Sequence, residues 1–257
     1  MKPLFVESLF FHSGIQFSSA KISNMTMRKI PFANGEYYHI YNRGVDKRNI
    51  FKDIHDRNRF FQSMKAFNRI KPIQSLRDLN KQKEAQHPQS HNNKGKNRGE
   101  TPVFADAKPL VVFVCYCLNP NHYHFVLRQL VDGGISEFMK RMGGYTSYFN
   151  KKYKRSGVLF QSVFKSNHID SNEYLLHVST YVNLNNRVHL LGGFTPKLLS
   201  KSSWAEYVNN KRDTQDVFCE KDIILGQFKN VLEYKKFAES SLKDIQENKE
   251  MAKLLLE

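Results

Sequence analysis

The chain has 257 residues, enough for one large domain or two small ones, and it carries 40 Lys and Arg against 24 Asp and Glu, a formal charge of +16. That balance favours a polyanionic partner, nucleic acid first, and an aromatic content of 13% interleaved with Lys and Arg, as in "NKKYKR" and "VFKSNH", suits backbone contact with base stacking. Three cysteines, Cys115, Cys117 and Cys219, are an odd count with no C-x-x-C spacing, which supports neither a disulfide framework nor a thiolate zinc site and points to a reducing compartment. No apolar run reaches the ~18 residues needed to span a bilayer. The opening "MKPLFVESLFFHSGIQFSSA" makes a poor signal peptide, so residues 1–26 are expected to be a weakly ordered extension, with Met25 or Met27 as the natural start.

From Glu36, "EYYHIYNRG" has strand composition, with Tyr38, Ile40 and Asn42 on one face and Tyr37, His39 and Tyr41 on the other, stopping at Gly44. "DIHDRNRFFQSMKAFNRI" reads as an amphipathic helix capped by Asp53 or Asp56, with Phe60, Phe61, Met64 and Phe67 on its apolar stripe. Residues 71–108 lose periodicity and fill with Lys, Asn, Gln, His and Gly, which predicts a mobile basic insertion. Two apolar runs, Leu110 to Cys117 and His122 to Leu127, flank Asn119, Pro120 and Asn121 and predict an antiparallel hairpin. Ile135, Phe138, Met139, Met142, Tyr145 and Phe149 recur at helical spacing, weakened at Gly143 and Gly144. "GVLFQSVFKSNHI" is strand-like, and "SNEYLLHVSTYVNLNNR" is a helix capped by Ser171 or Asn172 with Tyr174, Leu175, Val178, Tyr181 and Val182 on one stripe. Gly192 and Gly193 end this unit, and a mainly helical segment follows over 194–257. There is no internal repeat.

On a strand, residues two apart share a face, so His122 and His124 present two imidazoles side by side while Tyr123 points away. Such a pair can hold a divalent metal, or can be a pair of packing or surface histidines. A third ligand is needed for a metal. Tyr181 and Asn185, four apart on the helix, could face the same site. Alternatively, Tyr181 extends the apolar stripe and Asn185 begins a C-cap.

The order of these motifs resembles the REP-associated tyrosine transposases and the related single-tyrosine insertion-sequence transposases of the HUH endonuclease superfamily. The likeness runs from Tyr37 to about Ala238 and rests on "YYHIYNRGVDKRNIF", "CLNPNHYHFVL", "YTSYFNKKYKRSGVLFQSVFKS", "EYLLHVSTYVNLNNRVH" and "SSWAEYV" in that order. The resemblance implies an α+β fold, a ferredoxin-like antiparallel sheet with helices packed on it, plus a small helical C-terminal appendage, over a transposase domain at 27–193. It implies that His122, His124 and Asn185 bind Mg²⁺ or Mn²⁺, and that Tyr181 is the nucleophile. The substrate class it implies is single-stranded or hairpin DNA, which would be cut through a 5′-phosphotyrosine without ATP. The phosphate contacts would be Arg43, Lys47, Arg48, Lys152, Lys154, Arg155, Lys165 and Arg187, with Tyr148 or Tyr153 stacking on bases. A bacterial, cytoplasmic, nucleoid-associated protein acting as monomer or homodimer is expected. The chain departs from the family pattern at Tyr123, where an aliphatic is commoner, at Asn186 in place of Pro, and at Val163 in place of a base.

Two other readings compete. One is a domesticated module that grips structured DNA or RNA without cutting. The other is a replication initiator or relaxase, whose multidomain forms are disfavoured because no Gly-rich phosphate loop is present.

Overall fold

A computed structural model describes residues 31–72, 108–188, 199–209 and 217–254. The N-terminal extension, nearly all of the basic insertion and the Gly192–Gly193 turn lie outside them. The chain is an α+β protein whose five-stranded antiparallel sheet has helices packed on it. Its strands are β1 (Tyr37–Arg43), β2 (Val111–Asn119), β3 (His122–Gln129), β4 (Lys165–Ile169) and β5 (Lys201–Ser202), in spatial order β4-β1-β3-β2-β5. Since β1 and β2 each pair antiparallel with β3, they run parallel to one another on either side of it. This is the split βαβ arrangement expected of a ferredoxin-like sheet.

Between β1 and β2, helix α1 (Ile54–Phe67) starts at Asp53, whose side chain accepts the Asp56 N–H at 2.8 Å. The stripe after β3 is two helices, α2 (Gly134–Met142) and α3 (Tyr145–Lys152), parted at the Gly143–Gly144 pair. Only Lys165–Ile169 of the strand-like stretch from Gly157 is a strand. Gly157 has φ +82°, and before β4 begins the chain makes a single bridge, Phe160 to Gly44. Helix α4 (Asn172–Asn183) is capped by Ser171, which accepts the Tyr174 N–H at 3.2 Å. It is followed by α5 (Asn185–Val188), α6 (Trp204–Val208), α7 (Asp222–Leu225) and the long α8 (Val231–Leu254).

Alternation along the strands divides the core. Ile40, Tyr116, Tyr123 and Phe125 are buried on one face, where the Phe60 ring of α1 lies tilted against Tyr123 with centroids 5.4 Å apart and Phe113 meets Phe138 of α2 at 5.5 Å. Burying each such aromatic stabilises the fold by roughly 1.5–3 kcal/mol. His39, Cys115, Cys117, Asn119 and His124 lie on the opposite face, where the Cys115 Sγ is 3.8 Å from the Ser179 carbonyl of α4. The C-terminal helices are anchored there too: Asn183 donates to the Tyr234 hydroxyl at 2.9 Å, and Ser203 donates to Asn183 Oδ1 at 2.6 Å. Tyr207 and Tyr234 are fully buried, so the C-terminal segment shares the core of the sheet.

Candidate active site

The turn that delivers the histidines is pinned by backbone hydrogen bonds from the loop after β1. Pro120 and Asn121 join β2 to β3 in a two-residue turn; the Pro120 carbonyl accepts the Ile50 and Phe51 N–H groups at 2.7 and 3.0 Å, and Asn121 accepts the Gly44 N–H at 2.8 Å. A Cβ on Gly44 would fall 2.1 Å from the Arg48 carbonyl oxygen, so glycine alone fits at that close approach. Cross-strand register then places Arg43 beside His122, and Tyr41 between His124 and Lys165. One end of the sheet therefore carries both histidines.

His122 and His124 share a face, with ring centroids 5.2 Å apart. Tyr123 between them is 3% exposed and stacks on Phe125 at 4.7 Å, so it belongs to the core and braces the pair from behind. Tyr181 on α4 meets His124 edge-on at 5.5 Å and His39 at 6.2 Å. Asn185 reaches the same place by a route different from the expected continuous helical face. Helix α4 ends at Asn183, Leu184 forms the junction, and Asn185 opens α5, yet its Oδ1 is 2.9 Å from His122 Nε2. The four residues His122, His124, Tyr181 and Asn185 are thus brought together.

Three neighbours escaped sequence reading. His39 Nε2 lies 2.9 Å from His124 Nδ1, and burial lowers its pKa to about 4, so it is neutral at physiological pH. Asn121 Oδ1 lies 2.6 Å from His122 Nδ1 while its own amide donates to the Lys47 carbonyl at 3.3 Å. Asn119, fully buried, has its Nδ2 2.9 Å from His122 Nε2 and 2.7 Å from Asn185 Oδ1. The parity of His39 along β1 was readable, but the strand it would lie beside was not. Asn119 and Asn121 were visible only as turn formers.

Among the described residues there is no group of three or more His, Cys, Asp or Glu side chains able to hold a metal ion. A cation here would need the carboxamide oxygen of Asn185 beside the imidazoles. The donor chemistry fits. With the ring proton on Nδ1 facing the Asn121 oxygen, His122 Nε2 offers a lone pair toward Asn185 Oδ1. The Asn185 Nδ2, meanwhile, is buried with no hydrogen-bond partner among the described residues, an orientation costing about 1–3 kcal/mol that keeps the oxygen on the histidine side.

The basic candidates fall into different settings. Lys154 and Lys165 are exposed, Lys165 on the edge strand β4. Arg43 donates to Gln161, Arg48 pairs with Asp46 at 3.4 Å, Arg155 donates to the Val158 carbonyl at 3.1 Å, and Lys47 ends the short 3-10 helix Val45–Lys47 with φ +57°. Arg187 sits over the Trp204 ring at 5.4 Å. Lys152 stands apart: its Nζ is 2.7 Å from both Asp53 and Asp56, and the Tyr153 hydroxyl donates to Asp56 at 2.6 Å. Tyr148 also reaches Asp56, at 3.3 Å, so both tyrosines expected to stack on bases are tied to this cluster.

No protein-family model matches the chain, and no curated protein does. Among solved structures, the chain is similar to one titled "Structure of the REP associates tyrosine transposase bound to a REP hairpin", at 10% identity and a TM-score of 0.36, over 64% of this chain and 74% of that one. A likeness of that size carries no argument. No helix among the described residues is long and apolar enough to cross a membrane.

Proposed function

We propose that the chain is a metal-dependent endonuclease and strand transferase for single-stranded, hairpin-associated DNA, acting through Tyr181. The observation that carries this reading is the meeting of Tyr181 with His124 at 5.5 Å while Asn185 meets His122 at 2.9 Å, from elements far apart in sequence. His122, His124 and Asn185 would hold Mg²⁺ or Mn²⁺, which when bound supplies electrostatic stabilisation at a nonbridging oxygen of the scissile phosphate. The Tyr181 hydroxyl, losing its proton, attacks phosphorus. The bond from phosphorus to the 3′-oxygen breaks, that oxygen takes up a proton, and a 5′-phosphotyrosine remains with a free 3′-OH. Attack by another 3′-OH reverses the step, so strands are rejoined without ATP. Residues 27–193 would be the transposase domain and 194–257 the helical segment that braces the tyrosine helix.

The test is cleavage of hairpin-flanked single-stranded oligonucleotides by the purified chain with Mn²⁺. His122→Ala and His124→Ala should each abolish cleavage and leave DNA affinity largely intact; cleavage surviving in both sinks the ligand assignment. A second reading, a module that binds structured nucleic acid without cutting, draws on the +16 charge. Strong, salt-sensitive hairpin binding indifferent to metal, with no cleavage, would favour it.

A further inference from the structure

Asn119 is the last residue of β2, cross-strand partner of His122, and has no exposure to solvent. Its Nδ2 is 2.9 Å from His122 Nε2 and 2.7 Å from Asn185 Oδ1, and those two atoms are 2.9 Å from each other. The near-equal sides mean that the two acceptors are seen from Nδ2 at an angle of about 60°. The two N–H bonds of a carboxamide diverge far more widely, so they cannot point at both acceptors at once. Asn119 therefore bridges a pair of lone pairs that a centred positive charge would satisfy better.

Asn119 Oδ1 accepts from the Ser200 hydroxyl at 3.2 Å and is 3.7 Å from Cys117 Sγ. A hydroxyl both donates and accepts, so a half-turn of the carboxamide about its Cβ–Cγ bond keeps the contact with Ser200, with Nδ2 now donating. The half-turn brings Oδ1 to the place Nδ2 held, beside His122 Nε2 and Asn185 Oδ1. Three lone-pair groups would then converge, which is repulsive in a buried site unless a cation lies among them.

We propose that Asn119 is a further ligand of the metal site, holding His122 and Asn185 together through Nδ2 when no ion is bound and turning its amide to offer Oδ1 when a divalent cation enters. The proposal rests on the reading of His122, His124 and Asn185 as metal ligands. It is tested by calorimetric titration of Mn²⁺ into the full-length wild type, Asn119→Leu and Asn119→Asp, each checked for folding by circular dichroism. Asn119→Leu, which keeps the branching of the side chain but has no oxygen, should bind Mn²⁺ about 10- to 100-fold more weakly. Asn119→Asp, which presents oxygen whichever way it turns and adds charge, should bind about tenfold more tightly. A Leu variant that binds as tightly as wild type, or an Asp variant that binds no more tightly, overturns the proposal. If the Leu variant fails to fold, the Asp variant decides alone. Wild type that takes up no Mn²⁺ overturns the metal reading along with this one, whereas normal wild-type binding with either contrary variant overturns this one alone.

Discussion

His39 Nε2 lies 2.9 Å from His124 Nδ1, a buried imidazole pair spanning β1 and β3, with Tyr41 stacked at 4.9 Å from His39 and Tyr181 edge-on at 6.2 Å. Burial holds the His39 pKa at about 4 against an ordinary 6.5, so between those values the unfolded chain binds a proton that the folded chain refuses. Stability is therefore whole above 6.5 and falls as pH drops toward 4, by about 3 kcal/mol for the full shift. Urea midpoints measured across this range should decline with acid in the wild type and decline less in His39→Gln. Equal slopes in the two proteins would remove His39 as the source.

Asp56 is wholly buried and is satisfied by Lys152 at 2.7 Å, Tyr153 at 2.6 Å and the Lys52 N–H at 2.9 Å. Removing Lys152 leaves that carboxylate without its cation, a change that costs 3–5 kcal/mol for a fully buried pair and, with Lys152 partly solvated, about 2 kcal/mol here. Lys152→Met should thus lower the chemical-denaturation midpoint while leaving oligonucleotide affinity nearly unchanged. A large loss of affinity with stability intact would return Lys152 to the phosphate contacts.

Lys165 is the contrasting case, exposed on the edge strand two strands from the His pair, at the end of the sheet where Tyr41 faces His124. If it contacts one phosphate, Lys165→Ala should flatten the dependence of log affinity on log salt by about 0.7 for a single strand. Fluorescence anisotropy across a salt series measures this directly, and an unchanged slope would exclude the contact.

Tyr123 packs between Phe125 at 4.7 Å, Phe60 at 5.4 Å and Phe160 at 5.8 Å. Tyr123→Ala should therefore cost about 3–5 kcal/mol in thermal or urea unfolding. Tyr123→Phe, which keeps the ring, should leave DNA affinity where it was; a clear drop would mean that the hydroxyl touches DNA.

Much of this was legible in residue patterns because local physics decides it. The alternation from Tyr37 to Asn42, the Asp53 and Ser171 caps, and the turn between Asn119 and His122 each depend on a few neighbouring residues. The same local reading failed at "GVLFQSVFKSNHI", where apolar composition suggested a long strand. There the chain spends Leu159 on the core and Phe160 on one bridge to Gly44, and β4 begins only at Lys165. The site was half legible. His122 and His124 share a face by simple parity, but the pairing of His39 with His124 depends on strand order. The position of Asn185 depends on a helix that ends at Asn183 and restarts, which no four-residue spacing reveals.

The proposed reaction stands or falls on Tyr181 as the nucleophile. Its most direct measurement is intact mass and peptide mapping of the protein after incubation with Mn²⁺ and a hairpin-flanked single-stranded oligonucleotide. The expected result is an adduct carrying the 5′-phosphorylated downstream fragment on the peptide that contains Tyr181, and no adduct in Tyr181→Phe. Cleavage undiminished in Tyr181→Phe, or an adduct on another residue, would contradict it.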